Sequence, residues 1–270
     1  MAPSTTVSVV IPSYNHATYV IDAIGSVIRQ KKGGFELDLI VIDDGSTDGS
    51  VELLKRLHGA DTSAFRLVTK HNEGLCRTLN RAIREHAVGS HIAVLASDDM
   101  WRADKLRTQL VALQQAPDCE LCYSNAETFG EGRREGRSSS FLFSGAVKPW
   151  LTVYNFVPAG TMLFTRRLFD KIGGFDETGL KLEDWDFLLR ASAHTRFCCV
   201  RENLLLYRVH SESSLIKMRR TGTLFGEKMK VLKKNISITS PFLRLVSTCL
   251  HFGLDRILRP VLYRIEATRS

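Results

Sequence analysis

Val7-Ser8-Val9-Val10-Ile11 is a short apolar run that stops at Pro12. A run of this length, ended by proline, predicts a buried strand. Val20, Ile21, Ile24, Val27 and Ile28 then recur at helical spacing. Residues 37–42 predict a second strand, stopped by Asp43-Asp44-Gly45. A helix through Val51, Leu54 and Leu57 follows, with Thr47 and Ser50 as candidate N-caps. A strand over 65–69, a helix through Leu75, Leu79, Ala82 and Ile83, and a strand over 91–96 come next. Leu106, Leu110 and Leu113 mark one more helix. Strands alternating with helices of ~10–15 residues predict βαβ units and a parallel sheet. Right-handed crossovers would put helices on both of its faces.

The pattern changes after Ala116. Residues 120–124 predict another strand, and 130–145, rich in Gly, Ser and Arg without periodicity, predict a mobile loop. A helix near 166–172, the turn Gly173-Gly174, a helix over 182–193 and late strands over 197–200 and 204–209 complete the body. There is no internal repeat and no linker between two large domains. Beyond 221, Phe242, Leu245, Val246, Cys249, Leu250, Leu254, Ile257, Val261 and Ile265 fall mostly at helical spacing. Pro241 precedes them and Pro260 falls before the last two, where it should kink or end the helix. The expected organisation is one α/β domain over residues 1–215 and a basic amphipathic helical tail over 216–270.

The 270 residues, 44% apolar and 24% charged, suit one globular domain with an appendage. Net charge is +8, and it is unevenly spread. Residues 215–270 carry twelve Lys or Arg against three acids, +9, which leaves −1 for the preceding 214. A basic tail on a neutral body implies an anionic partner, a membrane surface or a nucleic acid. The tail's few aromatic residues come with no nucleic-acid-binding motif, so no nucleic acid partner is expected. A tail helix lying in a membrane interface is one expectation. Helices packed on the body, with their arginines solvated, are the alternative. No apolar run reaches the ~18 residues of a spanning helix. Six cysteines without a secretory signal, with only Cys119-x-x-Cys122 and Cys198-Cys199 close together, suit small buried side chains in a reducing cytoplasm.

Three acidic clusters carry the candidate chemistry: Asp43-Asp44-Gly45-Ser46, Ser97-Asp98-Asp99 and Glu183-Asp184-Trp185-Asp186. The first two follow predicted strands, where open α/β sheets bind ligands at the carboxyl ends. Two adjacent acids past a buried strand supply what a cation bridging a diphosphate needs; helix capping accounts for only one of them. Asp43 and Asp44 could accept from ribose hydroxyls or base N–H groups, or could cap a turn. The third cluster opens a helix, where the dipole favours acids, and one of its carboxylates could act as general base. Trp185 could stack on a sugar or belong to the core. His210, past a predicted strand, could be a metal ligand or a structural hydrogen-bonding group.

Assembled, these residues resemble glycosyltransferase family 2, inverting nucleotide-sugar transferases of GT-A fold. The carriers are residues 7–15, 41–48, Asn72-Glu73-Gly74, Ser97-Asp98-Asp99, Gly173-Gly174-Phe175-Asp176, Glu183-Asp184 and Tyr207-Arg208-x-His210, in order over roughly 7–215. The resemblance implies a Rossmann-like, mostly parallel sheet. It also implies that Pro12, Tyr14, Asp43 and Asp44 line the nucleotide pocket, with Tyr14 against the base. Asp98 would contact ribose or donor, Asp99 would bind the divalent metal, Mn2+ or Mg2+, and His210 would lie near the metal or diphosphate. Arg77 matches a donor-contacting position loosely. Asp184 would be the general base. One departure stands out: Ala96 occupies the position of the first acid in the family's Asp-x-Asp-Asp pattern.

What the resemblance implies is sugar transfer from a nucleotide-diphosphate donor, UDP-sugar favoured, to a glycan or lipid-linked acceptor. Bacterial surface polysaccharide assembly on the inner face of the cell membrane is the expected setting. A sugar-nucleotide pyrophosphorylase would want a Gly-rich, Lys-bearing phosphate loop, and Pro12-Ser13-Tyr14-Asn15-His16 is not one. The remaining alternative is a nucleic-acid- or membrane-binding module on a degenerate transferase fold.

Overall fold

The computed structural model describes residues 5–31, 33–130, 136–137, 142–211 and 213–258. Elements run β1 (Thr5–Ser13), α1 (Val20–Ile28), β2 (Phe35–Asp43), α2 (Ser50–Ala60), β3 (Arg66–Thr69), α3 (Leu75–Arg81), β4 (His91–Val94), β5 (Met100–Trp101) and α4 (Lys105–Gln115). They continue with β6 (Cys119–Gly130), β7 (Gly136–Arg137), α5 (Lys148–Val153), β8 (Leu163–Thr165), α6 (Arg166–Ile172), α7 (Glu183–Ser192), β9 (Arg196–Val209), α8 (Ser214–Arg220), α9 (Leu224–Lys234) and α10 (Pro241–Phe252).

One sheet holds these strands in the order β3-β2-β1-β4-β8-β6-β9-β5, with β7 paired to β6. The half β3-β2-β1-β4 is parallel, as alternating strands and helices predict. β8 breaks that pattern, running antiparallel to both β4 and β6. β6 and β9 pair in parallel, and β5 closes the edge antiparallel to β9. The two late strands expected over 197–200 and 204–209 are one strand, β9, with register shifts opposite Ser124–Asn125 and Asn125–Ala126. Most of the expected 130–145 loop lies outside the described residues, as do 259–270 with Pro260.

The apolar runs of β1 and β2 are continuous because both faces are covered. Val7, Val9 and Ile11 face Ala23, Ile24 and Val27 of α1 and Leu106 and Leu110 of α4. Val10, Ile40 and Ile42 face the other side, with Leu79 of α3, Leu168 and Phe169 of α6, and Trp185, Phe187 and Leu188 of α7.

Two of the tail's helices pack on this body. Val231 and Leu232 of α9 join the core layer of α3, α6 and α7. Asn235 donates from Nδ2 to the buried Asp186 at 2.8 Å, and Lys234 pairs with Asp176 and, at 3.3 Å, with Asp186. Ser247 of α10 donates to the Val153 carbonyl at 2.9 Å.

Candidate active site

The site begins at the carboxyl ends of β1, β2 and β4. Near the end of β1, Pro12 is half-buried, and just past the strand Tyr14 is 47% exposed, its ring open to a ligand. Asp43 and Asp44, ending and following β2, are buried and already engaged. Asp43 accepts from the Ser46 N–H at 2.8 Å and the Ser46 hydroxyl at 2.7 Å. Asp44 accepts from the N–H groups of Glu73 and Gly74, both at 2.9 Å, and from the Lys70 ammonium. Asp43 thereby closes the turn after β2 on itself, and Asp44 stitches it to the 70–74 loop. Gly45 makes this closeness possible: its φ is +78°, and a Cβ there would stand 2.8 Å from the Asn72 nitrogen. Arg77 points outward and pairs with Glu177 at 3.7 Å.

Asp98 and Asp99 sit on the turn between β4 and β5, and β9 brings residues 207–210 alongside because it pairs with β5. Their two carboxylates face different partners. Asp99 is buried, and its Oδ1 accepts the Arg208 N–H at 2.8 Å. Burial and the neighbouring Asp98 push its carboxyl well above the usual range. Asp98 is partly open, with Oδ2 3.0 Å from His210 Nε2. Arg208 locks the turn: its Nε donates to the Asp98 carbonyl at 2.8 Å and its guanidinium lies over Tyr19 at 4.8 Å.

His16, Asp98 and His210 offer ligand atoms that all lie within 4.8 Å of one another. Nitrogen and carboxylate donors at that spacing can hold a divalent cation. Burial lowers the His16 pKa, which favours the neutral, ligating imidazole, and its Nδ1 contacts the Ser97 hydroxyl at 2.7 Å. The sequence reading put the metal on Asp99 and His210; here Asp99 stands outside this group and Asp98 within it. His16 was missed. Its one sequence signal is its place in the loop after β1, at the ligand end of the sheet.

Asp184 lies in the first turn of α7, half-buried. Desolvation raises its pKa, opposed by the Trp185 N–H and by Asn155, whose Nδ2 donates to Asp184 Oδ2 at 3.0 Å. Asn155 is a second residue the sequence reading passed over, since nothing in a loop asparagine's spacing points to a helix 29 residues on. Glu183 beside it is pushed up to about 8 by burial and by Asp184, so it is neutral below that pH. Trp185 is core: buried, with its indole N–H donating to the Leu151 carbonyl at 2.7 Å. Tyr207 ties the pieces together. Its hydroxyl is pushed up to about 12 by burial and then by the fields of Asp99, Asp98 and, more weakly, Asp184. The fields of the second and third acidic clusters both reach this one hydroxyl.

The model of the glycosyl transferase family 2 matches residues 8–173, more than half of the chain. The chain belongs to this family. The putative teichuronic acid biosynthesis glycosyltransferase TuaG of Bacillus subtilis is 38% identical over 104 residues, 38% of this chain and 40% of that protein. Across the first curated relatives, the family 2 chain spans between 27% and 66% of their length. In structure it is similar to Staphylococcus aureus TarS 1-349 in complex with UDP-GlcNAc, with TM-score 0.66, 16% identity, and 94% of this chain and 77% of that one covered. It is also similar to the mannosyltransferase PcManGT of Pyrobaculum calidifontis in complex with GDP-Man and Mn2+, with TM-score 0.64, 15% identity, and 99% and 81% covered. These likenesses establish the GT-A fold.

Proposed function

We propose that this family 2 chain is an inverting, metal-assisted glycosyltransferase acting on a nucleotide-diphosphate sugar. The observation that carries the reading is the cation-capable group His16, Asp98 and His210, whose ligand atoms lie within 4.8 Å of one another at the ligand end of the sheet, with the desolvated carboxylate of Asp184 as the candidate base. Pro12 and Tyr14 would line the base, with Asp43 and Asp44 holding the pocket wall they build with residues 70–74. Asp98 and His210 would hold the cation, His16 would complete the set, and Asp99 would fix the turn through Arg208. Imidazole donors favour Mn2+ over Mg2+, which prefers oxygen ligands. When bound, the cation neutralises charge on the diphosphate.

Asp184 accepts the proton of the acceptor hydroxyl. The acceptor oxygen forms a bond to the anomeric carbon as the bond from that carbon to the diphosphate oxygen breaks. The nucleoside diphosphate leaves with the electron pair, and the configuration inverts. Desolvation keeps the Asp184 carboxylate basic enough to take the proton. UDP-GlcNAc in one similar structure supports a UDP-sugar donor, and Mn2+ in another supports the cation. The teichuronic acid role of a relative supports a cell-surface glycan or lipid-linked acceptor. With the basic tail, such an acceptor suits an enzyme peripheral on the inner face of the cell membrane. The test is a panel of nucleotide sugars with and without Mn2+. Release of nucleoside diphosphate should require metal, and Asp184→Asn should abolish transfer while donor still binds. Transfer undiminished in Asp184→Asn protein would refute the mechanism.

A further inference from the structure

α10 is inverted relative to an ordinary surface helix, which buries its apolar stripe and shows its polar one. Polar residues form the side of α10 packed on the body. Ser247 and His251 are buried, the first donating to the Val153 carbonyl at 2.9 Å, the second lying 5.7 Å from the Trp185 ring and 5.8 Å from Tyr154. Arg244 donates to the Ile236 carbonyl at 2.8 Å and to the Thr239 hydroxyl at 3.0 Å. The opposite side is apolar and open. Phe242 is 70% exposed and Leu245 61%, with Val246, Cys249 and Leu250 exposed beside them and Phe252 extending the stripe. Six apolar side chains turned to water along one helix mark an interaction surface.

We propose that this face of α10 docks in the headgroup region of an anionic lipid bilayer. Charge selects that occupant. Residues 215–270 carry +9, so a second copy would set like charge against like. Residues 259–270, three arginines to one acid, would do the same if they folded over the helix. An anionic bilayer complements both features at once: the interface takes the apolar stripe and the headgroups take the cations. No described helix is long and apolar enough to cross the membrane. The proposal names the surface for the membrane-bound setting given above, and it rests on the transferase reading only for its purpose, presentation of a lipid-linked acceptor.

Cosedimentation of the full chain with phosphatidylcholine vesicles, with and without phosphatidylglycerol, tests it. The parent protein should partition onto the anionic vesicles. The double variant Phe242→Asp, Leu245→Asp should partition about tenfold or more weakly, because both side chains leave the interface. Equal partitioning of the two proteins overturns the proposal. So does a dimer in sedimentation velocity that the same substitutions abolish, which would give the face to a second copy. An environment-sensitive fluorophore on Cys249, the exposed cysteine, supplies a second readout. Its emission should shift to the blue on anionic vesicles, and an unshifted spectrum on vesicle-bound protein overturns the proposal. The double variant should keep transfer to a soluble acceptor, and Asp184→Asn protein should keep its partitioning, so failure of docking and failure of the transferase reading are told apart.

Discussion

Asn155 should set the pH at which Asp184 works. Its orientation is unambiguous: Oδ1 accepts the Val157 N–H at 3.2 Å, which leaves Nδ2 to donate to Asp184 Oδ2 at 3.0 Å. That bond favours the ionised carboxylate, whereas burial favours the protonated one. A hydrogen bond to a charged group is worth about 1.5–3 kcal/mol. At 1.36 kcal/mol per pKa unit, Asn155→Ala should raise the Asp184 pKa by about one to two units. A protonated Asp184 cannot accept the acceptor's proton, so activity appears only as pH rises through that pKa. The assay is kcat against pH at saturating donor, metal and acceptor. The acidic limb should move to higher pH by about one to two units, with the plateau above it retained, since a more basic carboxylate is no weaker as a base. Asn155→Asp should move the limb further, by setting a second carboxylate against the first. A lowered plateau with an unmoved limb would refute the reasoning and make Asn155 a purely structural residue.

Two further outcomes follow from the site. Asp98→Ala and His210→Ala should each weaken Mn2+ binding by more than the ~10–100-fold typical of losing an outer-shell partner, read by the paramagnetic signal of free Mn2+. Asp99→Asn should weaken it far less, and the reverse order would return the cation to Asp99. Asp44→Ala would leave the Lys70 ammonium, 5% exposed, to the Glu73 carboxylate at 3.1 Å, and the Glu73 and Gly74 amides without an acceptor. Leaving a buried donor unsatisfied costs about 1–3 kcal/mol, so the loss should be measurable by denaturant unfolding. A loss below about 1 kcal/mol would mean that the loop opens and water replaces the carboxylate.

Much of the fold is legible in the chain because its first half is built from local units. An apolar run such as 7–11, without strict alternation, predicts a strand covered on both faces, and Val9 and Val10 do face opposite layers. The three acidic clusters are equally visible, since each lies at an element's end where a ligand site forms. Their roles are not visible. Asp98 and Asp99 are neighbours of the same type, and only Arg208, 109 residues beyond Asp99, turns one inward and leaves the other facing His210. His16, beyond its place in the loop after β1, and Asn155 carry no signal of what they do, because that depends on a partner far along the chain. α10 draws the same line most sharply. Helical spacing determines that Phe242, Leu245, Val246, Cys249 and Leu250 share a face, since 3.6 residues make a turn. Periodicity is blind to direction: Ser247 and His251 find hydrogen-bond and ring partners on the body, Arg244 bonds back to the segment that precedes α10, and that tertiary packing turns the apolar face outward.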